Sequence, residues 1–442
     1  MNGGRLNRVG LPSLLAGLVL AASLTADAAA AHTVSQARWI KAVSRAALVT
    51  RSGELPTTVR RTSGQSWGGW GGTNSRGGGP AGWPGTRLTG LTGNQQGYSV
   101  AIALNSAVVS APGVKEDTGV AYFWHKRGGS WRQVLTESDP RHALGDQYAW
   151  AVAEATTKTT TYVVIGGNDI NGRPDRVYIY AGSGKIWRLQ ATITDPGGNS
   201  GDMFGDSVAM SASTLVIGAS CQKNFVGAAY IYQRSGSTWK LAATKKSPVQ
   251  RANYYYGQSV AVSGNRVIVT AENISEAGAA YVYTRTPAGS WPLTATISNP
   301  IKAREGFGLS SALSGTTAVI GAWYYNTYLG AAYVYKLEGT TWKEEQRLTP
   351  PVNGGEFGFS TAMTATTVLI GEPSFDDPGL CGTAYAFKLS GGKWVVSKHI
   401  EDPDCTTEAG FGYSVAISGK YGAFGAPYTN NGEGASYELP IG

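Results

Sequence analysis

The sequence has 442 residues, of which 42% are hydrophobic and 15% charged, with 61 glycines, 13 tryptophans and 23 tyrosines against four methionines. Glycine at that density weakens helices, whereas short strands joined by turns require it; a helical bundle is excluded and an all-β protein is expected. The formal charge of +8 resides in residues 1–90, ten basic against two acidic, and the remainder balances at 27 of each, so no basic footprint for nucleic acid is left on the body of the protein.

At the N-terminus, Arg5 and Arg8 precede an apolar run from Leu11 to Leu24 that ends in small residues up to Ala30. A basic start, a short apolar middle and a small-residue cleavage region predict a secretory signal over 1–30. The run is shorter than the ~20 residues that cross a bilayer, so no membrane span is expected and the mature chain is secreted. Residues 31–82 read as a basic segment, with a short helix from Arg38 to Val49, followed by a Gly/Ser-rich linker from Gly64 to Gly82.

From residue 83 onward the chain repeats. Phe/Tyr-Gly-x-Ser-Val-Ala recurs with its glycine at Gly97, Gly205, Gly257, Gly308, Gly358 and Gly412, and Tyr148 to Ala153 is a degenerate copy. Each unit continues with Ile-Gly-Ala (Ile217 to Ala219, Ile320 to Ala322), then Gly-Ala-Ala-Tyr-Val-Tyr (Gly278 to Tyr283, Gly330 to Tyr335), then a tryptophan (Trp131, Trp187, Trp239, Trp291, Trp342, Trp394). Most units close on an x-Pro. Residues 257–300 show what one unit makes: Ser259 to Val262, Arg266 to Thr270 and Ala279 to Tyr283 are three short strands, and a fourth holds Trp291. A four-stranded unit this small must bury both faces against neighbours, so seven of them in sequence predict a seven-bladed β-propeller. The seventh unit lacks its tryptophan strand, and Trp83 to Thr89 supplies the missing pattern, so an N-terminal strand is expected to close the ring over 83–442.

These units resemble FG-GAP repeats, as found in the integrin α-subunit propeller and in many secreted bacterial proteins. The resemblance implies an extracellular propeller that binds ligands. In integrins such repeats often carry a calcium loop of Asp-x-Asp-x-Asp-Gly type between the first and second strands. Here that place holds Ser211 to Thr214, Ser263 to Arg266, Ser314 to Thr317 and Thr364 to Thr367, which lack the carboxylates calcium needs; no metal and no cofactor is expected. The family's propeller brings the second-to-third-strand loops and the blade connections to one face. That placement implies a disulfide between Cys381 and Cys405 and leaves Cys221 unpaired.

No catalytic set emerges. The Gly-x-Ser serines (Ser99, Ser207, Ser259, Ser310, Ser360, Ser414) lack the final glycine of a nucleophile elbow and recur six times, so they read as blade packing. Of four histidines, only His142 falls in a blade connection, without triad partners at readable spacing. Asn168 to Asp175 is turn-forming sequence rather than a calcium loop, and Asn273-Ile274-Ser275 is a glycosylation acceptor pattern. The aromatics outside the repeat pattern are Trp150, Tyr254, Tyr255, Trp323, Tyr324, Tyr325 and Phe375. Loops that vary on a rigid scaffold build binding surfaces. The expected site therefore comprises Trp323, Tyr324, Tyr325 and Asn326, Phe375, Asp376 and Asp377, and Arg251 with Tyr254 and Tyr255. The expectation is a monomeric, secreted, non-enzymatic propeller that binds a protein or carbohydrate ligand on one face. The alternative is a polysaccharide-active lyase or hydrolase using the axial funnel.

Overall fold

The computed structural model describes residues 85–88, 95–114, 118–141, 145–169, 172–199, 201–272, 277–352, 354–374, 380–405 and 409–441. They form seven antiparallel sheets of four strands. Blades one to six are each built from consecutive strands. In blade five, for example, these are Phe307–Ser314, Thr317–Ala322, Ala331–Glu338 and Thr341–Leu348. The expected signal and basic segment, over 1–30 and 31–82, lie outside the described residues.

The core sits between blades, because a strand of period two presents alternate residues to two neighbours. In blade four, Val267, Val269, Tyr281 and Tyr283 pack on Val216, Ala229 and Ile231 of blade three. The intervening Ile268, Ala280 and Val282 pack on Phe307, Ile320 and Tyr333 of blade five. In blades two to six one side of the third strand is thus aromatic and the other small or β-branched, so the large face of one blade fills the small face of its neighbour. This arrangement buries the second strands at nearly every position rather than at alternate ones.

The repeat motif has a specific job at these interfaces. Ser207, Ser310, Ser360 and Ser414 donate through Oγ to the carbonyl of the motif glycine one blade onward, at 2.7–2.8 Å. The glycine of Ile-Gly-Ala lies against the same carbonyl: a Cβ on Gly321 would fall closer than 3 Å to the Gly358 oxygen. Blade four solves the contact differently. Thr270 takes the glycine's place, its hydroxyl donates to the Gly308 carbonyl at 2.6 Å, and Ser259 turns to Ser311 instead. Gly308 itself has φ 101°, a region open to glycine, and the degenerate second unit holds Ala149 at φ 65° in the same place.

The x-Pro ends are turn caps. Asp139, Asp195, Asn299 and Asp402 each accept through a side-chain oxygen from the N–H two residues on, at 2.8–3.0 Å. Trp291 differs from its sequence reading: it is buried, but the fourth strand begins only at Leu293, since Pro292 has no N–H for the ladder.

Blade seven contains Ser414–Ser418, Tyr421–Ala426 and Ala435–Pro440, and its outer strand is Thr86–Arg87 from the other end of the chain. Thr86 pairs with Glu438 and Arg87 with Tyr437. Leu88 is fully buried; its carbonyl accepts from Ser436 Oγ at 2.8 Å or less and from Gln96 Nε2, while its N–H donates to the Ser436 carbonyl. Arg87 adds an ion pair to Asp404 at 2.8 Å.

Candidate functional site on the loop face

Each first strand begins, and each second strand ends, on the face that carries the blade connections. The residue after each motif glycine forms a ring there: Tyr98, Trp150, Asp206, Gln258, Leu309, Phe359 and Tyr413. Half of that ring is a chain of touching aromatics. Tyr98 contacts Trp150 at 4.7 Å and Tyr413 at 4.9 Å, and Tyr413 contacts Phe359 at 4.9 Å. All four are buried, so aromatic rings fill this side of the axis.

The other side carries Asp206, Gln258 and Leu309. Asp206 accepts a short hydrogen bond from Ser220 Oγ, and burial pushes its carboxyl up to about 8 against that hydroxyl. In the next blade, Glu272 accepts from Trp323 Nε1 at 2.7 Å, and burial raises it to about 7. Asp206 is the one acid at its motif position and was legible there in the sequence, once the seven units are aligned. On the described loops of blades three to five, the acids are buried while Lys223, Arg251, Lys302 and Arg304 are exposed.

Most of the expected site residues come to this face, but not all reach solvent. Trp323 is buried, bonded to Glu272 and packed edge-on against Tyr324 at 5.6 Å, so it anchors the loop instead of presenting a surface. Tyr254 is also buried, with its hydroxyl 2.7 Å from that of Tyr281. Tyr324 and Tyr325 are half-buried; Tyr324 packs on Tyr328 at 4.6 Å and the Arg347 guanidinium lies 5.0 Å above the Tyr325 ring. Asn326 and Arg251 are exposed, and Tyr255 packs against Phe225 with ring centroids 5.5 Å apart and the planes tilted by 47°. Phe375, Asp376, Asp377, His142 and the Asn273 acceptor lie outside the described residues.

Backbone conformation marks what side-chain types did not. Lys223, Asn224 and Phe225 are three consecutive residues with φ 53°, 58° and 63°, and Asn326, Thr327 and Tyr328 repeat the turn with 49°, 57° and 72°. Carbonyls of both turns are tied to the next blade connection. Tyr254 and Tyr255 donate N–H to the Phe225 carbonyl at 2.9 and 2.8 Å, and Glu356 donates to that of Tyr328 at 2.5 Å. No glycine announces either turn.

Blade two gathers Asp139, Asp146 and Asp169 around two arginines. Arg141 reaches Asp146 at 2.9 Å and Asp169 at 3.4 Å, and Arg173 reaches Asp169 at 2.8 Å. Guanidinium groups thus occupy the centre that a calcium ion would need. Burial, then the hydrogen bond with Asp139, pushes the Asp146 carboxyl up. Among the described residues no group of three or more His, Cys, Asp or Glu is arranged to hold a metal ion. Cys381 and Cys405 are joined by a disulfide with Cα atoms 5.0 Å apart, and Cys221 is free and buried. No helix among the described residues is long and apolar enough to cross a membrane.

Against known proteins, the FG-GAP repeat family matches residues 187–232 and 300–335, which fall mainly on blades three and five. No curated protein matches. Among solved structures, the chain is similar to that titled "Crystal structure of the Chaetomium thermophilum Sqt1". The identity is 13% and the TM-score 0.47, over 76% of this chain and 81% of that one.

Proposed function

For this FG-GAP repeat protein with an integrin-α-like propeller, we propose an exported, non-enzymatic binding role. The loop face across blades three to six takes a protein or glycan ligand. The observation that carries this reading is the pair of left-handed turns at Lys223–Phe225 and Asn326–Tyr328. Each such residue other than asparagine costs about 1–2 kcal/mol, so Lys223, Phe225, Thr327 and Tyr328 are the strained positions. Strain of that size, held in place by bonds to the next blade, concentrates at ligand clamps. A positive φ two residues before the motif glycine recurs around the ring and is architectural; among the described loops, three-residue turns of this kind occur only in blades three and five. They hold Lys223, Asn224, Asn326 and Thr327 outward.

The test is a glycan array and an extracellular-protein panel, probed with the wild type and with a Lys223→Glu, Arg251→Glu, Asn326→Ala variant. Binding is expected to fall at least about tenfold with an unchanged melting temperature, the effect of losing one or two charge-assisted contacts. Undiminished binding in the folded variant removes the site from this face. An N-terminus near residue 31 on the exported chain would support the secretory reading.

Asp206 favours a second reading, a polysaccharide-active enzyme, because a carboxyl raised to about 8 beside the axis is protonated at neutral pH and is a candidate general acid. The filled aromatic half of the ring weighs against it. Release of reducing ends or unsaturated products from polysaccharides, abolished by Asp206→Asn, would favour the enzyme.

A further inference from the structure

The 27 basic and 27 acidic residues that follow residue 90 are not evenly mixed over the propeller. Acids gather on the loop face, where Asp139, Asp195, Glu305, Glu356 and Asp402 all stand in blade connections. The opposite face is made of the turns that join first to second and third to fourth strands. Most are two residues long, such as Gly128-Gly129, Gly315-Thr316 and Gly419-Lys420, so little rises above the strand ends. Arg127, Lys158, Lys185, Arg285, Lys393 and Lys420 are exposed there, and half-buried Arg234 and Lys336 supply blades three and five. Every blade thus presents a cation. Within these turns and two residues to either side, Glu338 is the one acid among the described residues, and Lys343 takes it at 2.7 Å. Acids deeper in the blades do not offset the cations. Glu438 is buried and paired with Lys126 at 2.9 Å. Burial, opposed in part by the Ser106 hydroxyl, pushes the Glu154 carboxyl up to about 8. Glu344 and Glu345 stand farther along the outer strand of blade five, where Glu345 accepts from Trp394 Nε1 at 3.0 Å. Two apolar side chains lie among the cations. Ile186 is 70% exposed, next to Lys185. Leu104 is 67% exposed at φ 54°, and its N–H donates at 2.9 Å to Ser418 Oγ, two residues from Lys420.

We propose that this turn face docks on an anionic lipid bilayer. A planar surface meets cations from all seven blades at once, whereas a nucleic-acid duplex or a polysaccharide chain crosses only a few of them. Leu104 and Ile186 favour the bilayer further. Lipid takes apolar side chains in beneath its headgroups, while a phosphate or carboxylate polymer leaves them in water. Each Lys or Arg near an anionic headgroup layer strengthens binding about fivefold. The acids of the loop face point the other way, so the separation of charge orients the propeller with its loops away from the lipid. This surface is independent of the loop-face site.

Co-sedimentation of the full chain with vesicles of phosphatidylcholine, alone or with about one-third phosphatidylglycerol, tests the proposal. Binding is expected only to the anionic vesicles. It should fade between about 0.1 M and 1 M salt, as the screening length drops from about 10 Å to about 3 Å. The turn-face variant Arg127→Glu, Lys185→Glu, Lys393→Glu should bind at least about a hundredfold more weakly. The variant Lys246→Glu, Lys302→Glu, Arg304→Glu makes the same change of net charge at the loop-face end and should stay within about threefold of the wild type. Both variants keep the basic residues 1–90, so any attraction of that segment is common to them. Leu104→Asn, which suits a positive φ, should cost about fivefold on vesicles and nothing on immobilised heparin or duplex DNA. Undiminished binding by the turn-face variant overturns the proposal, as does equal loss from the two triple variants or indifference to phosphatidylglycerol. A Leu104→Asn chain that binds vesicles like the wild type, while the turn-face variant loses heparin or DNA, would make the face a polyanion site instead. Should a triple variant not melt like the wild type, its single substitutions, each expected at about fivefold or more on the turn face, decide in its place.

Discussion

Replacing Gly321 with alanine tests the account of how the blades are joined. The new Cβ would sit closer than 3 Å both to the Gly358 carbonyl oxygen and to Ser310 Oγ, and the first of these is backbone that cannot swing aside. Relief requires blades five and six to part. That breaks the 2.8 Å bond from Ser310 Oγ to the same carbonyl, worth about 1 kcal/mol. Forcing one extra methyl into a packed interface costs about 1–3 kcal/mol more. The sum is a loss of about 2–4 kcal/mol. For a propeller of this size that corresponds to a fall of about 3–6 °C in melting temperature, taking the usual unfolding entropy per residue. Thermal and urea unfolding followed by tryptophan fluorescence would measure it. The control comes from blade four. Thr270→Gly at the equivalent place removes one hydroxyl bond and a side chain without any clash, and should cost about 1–2 kcal/mol. A Gly321→Ala protein as stable as the wild type would show that the interface yields freely and that the motif glycine is not a packing requirement.

Further outcomes follow from the same structure. Asp206, Glu272 and Glu372 have carboxyls raised by burial to about 8, 7 and 8, so between the ordinary carboxylate range and pH 8 the folded chain holds more protons than the unfolded one. Their contribution is complete below about pH 4 and lost as pH rises through 7 to 8. The propeller should therefore unfold at lower urea at pH 9 than at pH 6, and Glu372→Gln should flatten that slope. Reducing the Cys381–Cys405 bridge, which spans 24 residues, should cost up to about 3 kcal/mol, read as a shift in urea midpoint with dithiothreitol. A chain starting after Leu88 should melt well below one starting at Trp83, because it loses the Thr86–Arg87 pairing, the Arg87–Asp404 ion pair and the burial of Leu88, the last worth about 2 kcal/mol. Equal midpoints for the two truncations would contradict closure by this strand.

The fold was legible in the sequence because each blade repeats the same solution to one packing problem. Serine at Ser310 and glycine at Gly321 recur since every interface needs the same close approach, and recurrence is visible in one chain. The binding surface was legible only in part, since residue type does not report depth. Trp323 and Tyr254 look like surface aromatics out of register with the repeat, yet Glu272 and Tyr281 offer each a buried partner, and burial wins. The left-handed turns at Lys223–Phe225 and Asn326–Tyr328 were invisible for a related reason. Neither contains glycine, and their conformation is imposed by bonds to segments some 30 residues away.

The strand Thr86–Arg87 has a consequence for the order of events in the life of the chain. Its partner strand is separated from it by almost the whole propeller: Ser436 donates to Leu88 across 348 residues. Contacts so distant in sequence form last and slowly. Until Ala435–Pro440 has been synthesised, Thr86–Arg87 has no partner, and blade one has no seventh blade to cover its apolar side. Through nearly all of translation the molecule is an open, growing arc with a bare apolar flank at each end. A chain stalled or cleaved anywhere short of residue 435 is left in that sticky state.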